Sequence, residues 1–391
     1  MENTKLKVLR IVTSMNPNNG GVVEAINQAA LAFTIKKHQM DVLCFDQPLD
    51  DWVIKQNKYK IYALGKSRTS YAVNFKYLSW LIKNATNYDV VIVDGLWQFH
   101  VIGGYVLHFA KIPFCVFTHG MLDPYFNENK LKYFKKLPFW FFIERNVLSL
   151  ANAALFTCEE EKNLASQSFP FYKSRPKVTT LGVKRFEGLK SNLTDAFFKR
   201  FPFLNSKPFG LFLSRIHPKK GLELLINSIS KATYIPDDFI FVVAGPYEES
   251  YKKELEQLAV KLNVREKILW TGMLHKEEKW GAYHAADFFI LPSHQENFGI
   301  VVAEALSTNT PVLITNKVNI WQEIQKEKAG FIEPDTIEGV TSLLESWFLL
   351  STEKKNEMNK SAGTCYKKYY STEAAVHDLE NVLKDIIQNG N

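Results

Sequence analysis

Two carboxylates lie in the most apolar part of the sequence, in the stretch HQENFGIVVAEAL at positions 294–306. Glu296 precedes a run of mostly apolar residues, and Glu304 follows that run eight positions later. A helix that begins near Phe298 or Gly299 rises about 1.5 Å per residue, which puts the two carboxylates up to ~12 Å apart. Such a pair can grip the two ends of one extended polar ligand.

Backbone amides at the start of this helix form a second group of possible ligands. The first amides of a helix have no partner within it, so they favour anions or hydroxyl oxygens. The amides concerned are those of Asn297, Phe298, Gly299 and Ile300. An alternative remains open, in which Glu296 caps the helix and Glu304 lies on a solvated face.

A pair of cations follows another apolar run, in LSRIHPKKGLELLINS at positions 213–228. The run Phe209–Leu213 predicts a strand, and Gly221 begins the next helix. Arg215 and Lys220 lie in the loop between these two elements. Cations at the carboxyl edge of a strand, beside a helix start, can form a diphosphate site. Ordinary surface cations are the alternative.

Two weaker signals lie in the N-terminal half. Gly20 and Gly21 precede a helix, and paired glycines let backbone amides meet a phosphate or a sugar ring. A structural turn is the alternative, and the pattern lacks the G-x-G-x-x-G of a dinucleotide site. His119 follows the apolar run Phe114–Phe117, where an imidazole can donate to a substrate hydroxyl or stabilise a charged leaving group. A structural histidine is the alternative.

Short apolar runs separated by helical segments must position these residues. The runs are Val8–Thr13, Met40–Phe45, Val90–Val93, Phe114–Phe117, Ala154–Thr157, Phe209–Leu213, Phe239–Ala244, Lys267–Thr271, Phe288–Leu291 and Val312–Thr315. Continuous apolar strands are typical of parallel sheets that are buried on both faces, and the helices between them give alternating βα units. Ligands of such folds bind outside the carboxyl ends of the strands.

The apolar runs fall into two sets, separated by a strand-poor segment at Lys184–Pro208. We therefore predict two Rossmann-like, doubly wound α/β domains that face a central cleft. The N-terminal domain is expected at 1–183 and the C-terminal domain at 184–370. Apolar residues at helical spacing predict an amphipathic helix at 371–391, which we expect to return to the N-terminal domain.

Composition limits the class of protein. The chain has 391 residues, of which 46% are hydrophobic and 23% charged, which suits two globular domains. The formal net charge of +7 indicates mild attraction to anions, but no basic-aromatic reading face is visible, so we expect no nucleic-acid partner. Four separated cysteines without a C-x-x-C pair support neither a zinc site nor a redox motif. With no signal peptide pattern and no long apolar run, we expect a cytoplasmic protein.

Taken in order, these motifs resemble the retaining GT-B glycosyltransferases of family four, the glycosyl transferases group 1. The order is Gly-Gly, a strand-end His, Arg-x-x-x-x-Lys-Gly, and Glu-x-Phe-Gly with a second Glu eight residues after the first. Further segments that agree are VVAGP at 242–246, TGML at 271–274, AADFFILPS at 285–293 and PVLIT at 311–315. The resemblance spans most of the chain, and it implies a GT-B fold that binds a nucleotide-sugar donor.

The resemblance assigns a role to each matching residue of the C-terminal half. Arg215 and Lys220 would bind the donor diphosphate and neutralise the leaving nucleotide. Glu304 would bind the ribose hydroxyls, and the base would meet the backbone near Met273 and Leu274.

The same resemblance implies how the donor sugar is held. Glu296, with the amides of residues 297–300, would hold the sugar hydroxyls at the face where positive charge develops. His119 would lie beside the reacting carbon, and Gly20 and Gly21 would let the N-terminal loop close over the donor.

Family members retain the anomeric configuration through an oxocarbenium-like transition state, so electrostatic stabilisation is expected to dominate. The sequence has no D-x-D, and the resemblance implies neither a metal nor a cofactor. Two alternatives to a hexosyltransferase remain: a catalytically silent sugar-nucleotide-binding protein, and a sugar-nucleotide epimerase or a phosphorylase of the same fold. Product analysis separates them.

A basic aromatic segment, NKLKYFKKLPFWFFIER at positions 129–145, bears on the acceptor. Such a segment can lie on an anionic membrane surface. A lipid-linked saccharide acceptor would then be natural, as in bacterial capsule, exopolysaccharide or lipopolysaccharide assembly at the inner membrane face. In the alternative, Phe139, Trp140, Phe142 and Ile143 pack into the domain and the lysines are solvated. Pro138 is expected to break any simple helix here.

Overall fold

The computed structural model describes residues 5–67, 69–205 and 207–389. The chain divides into two compact units. The first comprises the residues up to Gly182 together with those from Thr372 onward, and the second is Val183–Ser371.

The first unit is built on a seven-stranded sheet. Its strands are β1 (Lys7–Ile11), β2 (Gln39–Cys44), β3 (Ile61–Ala63), β4 (Val90–Asp94), β5 (Phe114–Phe117), β6 (Ala153–Phe156) and β7 (Pro176–Val178). They lie in the order β3-β2-β1-β4-β5-β6-β7, and every pairing is parallel. The order reverses between β1 and β4, which is the switch point of a doubly wound sheet.

Helices connect these strands. They are α1 (Gly21–Ile35), α2 (Asp51–Ile54), α3 (Phe75–Asn84), α4 (Gly103–Phe109), α5 (Lys130–Phe139), α6 (Arg145–Leu150) and α7 (Glu159–Ala165). The central strands β4, β5 and β6 are buried along their whole length, because helices cover both faces of the sheet.

The second unit repeats this plan with a six-stranded parallel sheet in the order β10-β9-β8-β11-β12-β13. Its strands are β8 (Phe209–Leu213), β9 (Ile240–Ala244), β10 (Ile268–Gly272), β11 (Phe288–Leu291), β12 (Val312–Thr315) and β13 (Gly330–Glu333). Its helices are α8 (Lys190–Arg200), α9 (Leu222–Lys231), α10 (Glu249–Lys261), α11 (Lys276–Ala285), α12 (Ile300–Ser307), α13 (Trp321–Lys326), α14 (Ile337–Phe348) and α15 (Thr352–Cys365). Here the order reverses between β8 and β11.

The last helix, α16 (Thr372–Asn389), belongs to the first unit. Its apolar residues join the core beneath β1 and α1: Val376, Leu379, Leu383 and Ile386. On its rim, Glu380 accepts from Lys36 of α1 at 2.8 Å. The return of this helix to the N-terminal unit agrees with expectation.

All ten predicted strands form, each within two residues of its expected ends, and both sheets are parallel as predicted. Three further strands were missed: β3, β7 and β13. They are edge strands of three or four residues and are only partly covered, so their sequences lack a continuous apolar run. The four cysteines are buried free thiols.

The prediction that Pro138 breaks the helix was wrong. Pro138 lies inside α5, and the chain stays helical through a π-helical turn at Trp140–Glu144 into α6. Proline removes one backbone donor, and the wider hydrogen-bond register follows directly after it. Among the described residues, no helix is both long enough and apolar enough to span a bilayer.

Candidate active site

His119 lies directly after β5, in a left-handed conformation with φ of 49°. Its Nε2 lies 2.8 Å from Oδ1 of Asp94, the residue that ends the neighbouring strand β4. The ring stacks on Phe117 with the centroids 4.2 Å apart. An ionised carboxylate only accepts, so Nε2 is the donor and Nδ1 is the nitrogen left for other chemistry.

Arg10 places a charge inside the buried strand β1. Its Nε donates to Oδ2 of Asp94 at 2.8 Å, and its Nη2 pairs with Oδ1 of the same carboxylate. Burial by itself raises the pKa of Asp94, but the charge and hydrogen bonds of Arg10, with a smaller contribution from His119, bring that pKa below its usual value. Asp94 is therefore ionised, and it connects a fixed cation to the imidazole of His119.

The loop before α1 has the geometry that close approach of a ligand requires. Gly20 has φ of 75° and ψ of −134°, a conformation that strongly favours glycine. A Cβ placed there would meet no atom within 4 Å, so the position is open. Gly21 is the first residue of α1, and no side chain caps the helix start.

In the second unit, Lys220 and Glu296 form an ion pair through Nζ and Oε2. Lys220 ends a 3₁₀ turn between β8 and α9, and it is buried. Arg215 lies in the same loop but is exposed, and it forms no ion pair with the residues that the structure describes. The two cations predicted to bind the diphosphate thus differ. Arg215 has no ion-pair partner among the described residues, whereas Lys220 is paired with Glu296, the carboxylate predicted to bind the sugar.

Glu296 does not cap the helix that follows it. The N-cap of α12 is Gly299, in the left-handed conformation with φ of 71°, and this residue has no side chain to cap the helix. The main chain of Glu296 is fixed instead: its N–H donates to the carbonyl of Lys317, and its carbonyl accepts from Asn319 N–H. The helix-cap alternative is therefore wrong.

Glu304 is buried within α12, so the solvated-face alternative is wrong too. Lys279 Nζ donates to Oε1 at 2.6 Å, and the Tyr283 hydroxyl donates to Oε2 at 2.9 Å. Burial and the charge of Glu304 raise the pKa of Tyr283 well above its usual value, so the phenol keeps its proton. Two side chains of α11 therefore orient the carboxylate that we predicted to bind ribose.

The segment after β10, where a base is expected, is held by Arg200 of α8. Its Nη1 donates to the carbonyl of Met273 at 3.2 Å, and its Nη2 donates to the carbonyl of Thr271 at 3.1 Å. Met273 is exposed and Leu274 is buried.

His294 joins the loop that carries Glu296 to two other elements. Its Nε2 lies 2.7 Å from Glu223 of α9, and its Nδ1 lies 3.1 Å from Asp335, just before α14. These contacts raise the pKa of His294 to about 9, chiefly through the bond to Glu223 and against the effect of burial. The main-chain N–H of His294 also donates to the carbonyl of Lys219.

Every predicted site residue outside α12 follows the carboxyl end of a parallel strand, as the fold rule requires. Gly20, Gly21 and His119 belong to the first unit, and the remaining predicted residues belong to the second. The structure brings Lys220 into contact with Glu296. Sequence reasoning missed the partners of these residues: Arg10, Asp94, Lys279, Tyr283 and His294.

Two of these partners left a signal in the sequence. Arg10 is a charge inside the apolar run KVLRI, and Asp94 directly follows the apolar run VVIV. The contact of Arg10 and Asp94 depends on the pairing of β1 with β4, and these two residues lie 84 positions apart along the chain.

Known proteins match both halves of the chain. Residues 194–385 match the family of glycosyl transferases group 1. Residues 19–184 match Glycosyltransferase Family 4.

Curated relatives align with part of the chain. An uncharacterised glycosyltransferase of Methanocaldococcus jannaschii is 29% identical over 183 residues, which are 44% of this chain and 44% of the relative. The alpha-monoglucosyldiacylglycerol synthase of Streptococcus pneumoniae is 29% identical over 147 residues, which are 38% of this chain and 32% of the relative. The matched regions thus span less than half of these relatives' own lengths.

A solved structure aligns over almost the whole fold. The crystal structure of HepE from Anabaena in complex with UDP superposes with a TM-score of 0.77 over 97% of this chain and 100% of that chain, at 16% sequence identity. With two parallel sheets, this likeness places the chain in the GT-B fold, in agreement with the prediction. Since both halves match their families, the chain belongs to the group 1 glycosyltransferases, with a family four N-terminal half.

Proposed function

We propose that this protein transfers a hexose from a nucleoside-diphosphate sugar to a saccharide acceptor. The observation that carries the proposal is the grouping at the carboxyl edge of the second sheet. There an exposed arginine and the Lys220–Glu296 pair lie in the loops after β8 and β11, beside the helix start at Gly299. Family membership supports the transferase class, and the UDP held by HepE supports a nucleotide donor.

In this proposal each group meets one part of the donor. Arg215 and Lys220 neutralise the diphosphate, since cations stabilise a leaving nucleotide as its charge develops. Glu304, oriented by Lys279 and Tyr283, accepts from the ribose hydroxyls. Glu296 and the amides of residues 297–300 hold the sugar.

We further propose that transfer retains the anomeric configuration and needs no metal. A positive charge that develops on the sugar would be stabilised by a carboxylate such as Glu296. His119, whose Nδ1 is left free by the bond from Nε2 to Asp94, would donate to or accept from a sugar hydroxyl near the reacting carbon.

A thermal-shift panel tests the donor site. UDP, GDP, ADP, TDP and their common sugars are added to the full chain, with and without metal. Binding at a hundredfold excess over Kd stabilises a protein by roughly 2.7 kcal/mol. We expect one nucleotide to raise the melting temperature without metal, Arg215→Ala to abolish that shift, and Glu304→Ala to weaken it. Binding without transfer to any acceptor would favour the catalytically silent alternative, and a free epimer as product would favour the epimerase.

For the acceptor we propose a lipid-linked saccharide in bacterial envelope polysaccharide assembly, reached from the cytoplasmic side of the membrane. The segment at 129–145 supports this proposal, because it both packs and exposes apolar side chains. Trp140 is fully buried, whereas Phe142 is 75% exposed. Leu131 and Phe134 of α5 are also exposed, and this helix contains four lysines and no acidic residue. Exposed apolar residues mixed with lysines suit an anionic bilayer surface.

Vesicle sedimentation tests the membrane contact. We expect binding to vesicles rich in anionic lipid, which attract lysines near the surface, and little binding to neutral vesicles. The triple variant Leu131→Ser, Phe134→Ser, Phe142→Ser should lose binding. The control Leu349→Ser removes an even more exposed apolar residue from the second unit and should bind normally. Equal binding by both variants would contradict a role for this segment.

A further inference from the structure

A polar cavity lies in the second unit, remote from the loops that hold the predicted donor residues. Its volume is about 510 Å³, which is large enough for a monosaccharide. Asp287 directly precedes β11, and Asn309 and Thr310 precede β12, so the cavity lies at the amino edge of the sheet. The predicted donor residues follow the carboxyl ends of strands of the same sheet.

The charge of this cavity is predominantly positive. Its lining contains three cations, Arg185, Lys190 and Lys355, against a single carboxylate, Asp287. Arg185 and Lys190 form no ion pair with the residues that the structure describes, and Glu187, the acid nearest to them in sequence, pairs with Lys184 instead. Cations that are not neutralised by the protein itself suit an anionic ligand.

A histidine in the lining is affected by the same positive charges. His284 lies in the last turn of α11, at the cavity, and its buried Nδ1 has no hydrogen-bond partner among the described residues. Burial, together with the charges of Lys190 and Arg185, lowers the pKa of His284 to about 4. The imidazole is therefore neutral at pH 7, and an anion beside the two cations would favour its protonation.

Two asparagines in the lining are suited to binding hydroxyl groups. Asn356 and Asn359 of α15 contribute amides, which both donate and accept. We propose that this cavity binds a small anionic saccharide, whose phosphate or carboxylate lies against Arg185 and Lys190 and whose hydroxyls meet the asparagine amides. This proposal does not depend on the donor site.

Calorimetry of the full chain tests the proposal, with glucose 6-phosphate, inorganic phosphate and glucose as probes. We expect glucose 6-phosphate to bind at least tenfold more tightly than phosphate or glucose. The double variant Arg185→Gln, Lys190→Gln should weaken that binding at least tenfold. The control Lys199→Gln, Arg265→Gln removes the same charge from exposed positions of the second unit that do not line the cavity, and it should bind normally.

The Arg215→Gln variant separates this cavity from the donor loops. Binding that survives in Arg215→Gln supports the cavity, whereas binding lost there and kept in Arg185→Gln, Lys190→Gln would overturn the proposal. Equal loss in the control variant, or no binding by the native chain, would overturn it as well.

NMR spectra of the histidine rings give a second readout. The signals of His284, assigned with His284→Asn, should shift when glucose 6-phosphate is added, and the midpoint of its titration should rise by at least one pH unit. Signals of His284 that do not respond to a bound sugar phosphate would contradict the site.

Discussion

At the scale of single residues, charge pairing determines which candidate side chains are available to bind a ligand. Glu304 is held by two donors, and Lys220 is held by Glu296, whereas Arg215 has no carboxylate partner among the described residues. If the proposed donor site is correct, we expect a diphosphate to meet Arg215 first. Lys220 becomes available once its pair with Glu296 opens.

This pairing makes a prediction for Glu296→Gln. The amide removes the negative charge that competes for Lys220, so a nucleoside diphosphate without a sugar should bind about threefold to tenfold more tightly, or ~0.6–1.4 kcal/mol. Lys220→Met should weaken the same binding. The rate of sugar transfer by Glu296→Gln should nevertheless fall, because the variant lacks the carboxylate proposed to bind the sugar. Titration calorimetry measures the affinities, and weaker binding of the diphosphate to Glu296→Gln would show that the pair does not compete.

The buried pair of Arg10 and Asp94 makes a second prediction. Asp94→Asn leaves the guanidinium of Arg10 buried without a counter-charge, which costs about 3–5 kcal/mol of unfolding free energy. His119→Asn leaves the Arg10–Asp94 pair intact and should cost about 1 kcal/mol, the worth of one hydrogen bond. Urea unfolding of the two variants measures the difference. Similar losses would mean that the ion pair contributes little to the first unit.

At the scale of elements, glycines in left-handed conformations bring the strand ends and helix starts of the second unit together. Gly221 has φ of 66° before α9, and Gly299 has φ of 71° before α12. A methyl group on Gly221 would overlap the carbonyl oxygen of Pro292, whereas one on Gly299 would meet side chains at 3.2–3.4 Å. The loop after β8 thus packs directly on the loop after β11.

Alanine at these two positions should therefore have different costs. Gly299→Ala should lose about 1–2 kcal/mol of unfolding free energy, the cost of the left-handed conformation alone. Gly221→Ala should lose clearly more, since the Pro292 backbone must also move. Hydrogen exchange of the β8–β13 amides in mild urea measures the stability of the second unit separately from that of the first. An equal effect of the two variants would mean that the loop around Gly221 relaxes freely.

At the scale of the whole molecule, the chain forms two units with separate sheets, and α16 completes the core of the first. The second unit is further tied by His294, which joins α9, the loop after β11 and the segment before α14. Its stability should accordingly depend on the protonation of one residue.

The pH dependence follows from the pKa of His294, which folding raises from its ordinary 6.5 to about 9. Below pH 6.5 the residue is protonated whether folded or unfolded, so its contribution is fully present. Between pH 6.5 and 9 the unfolded chain loses its proton first, and the unfolding free energy falls. The slope should stay below the limit of about 1.4 kcal/mol per pH unit, because the side chain is partly exposed.

Urea unfolding of the second unit at pH 6, 7.5 and 9 measures this slope, and His294→Asn serves as the control. The groups that face the imidazole are the carboxylates of Glu223 and Asp335. The variant should lose the slope while it keeps the fold. A slope that is unchanged in His294→Asn would assign the pH dependence to other groups.

The local sequence pattern was sufficient to predict the central parallel strands, the division of the strands into two sheets and the final helix. Buried parallel strands must be apolar along their whole length, so the apolar run in the sequence marks where each strand begins and ends. The runs Phe209–Leu213 and Phe288–Leu291 are examples. The edge strands β3 and β13 were missed, because a strand covered on few sides needs no such run. Motif order was also sufficient for the family.

Tertiary structure decided the partners of the candidate residues. Lys220 meets Glu296 across 76 positions of sequence, and Arg10 meets Asp94 across 84. No local pattern encodes such contacts, since they depend on which strands lie side by side and on where each loop ends. The burial of Glu304 and the cavity at the amino edge of the second sheet have the same origin. In each case neighbours distant in sequence supply the hydrogen bonds, the packing or the charge.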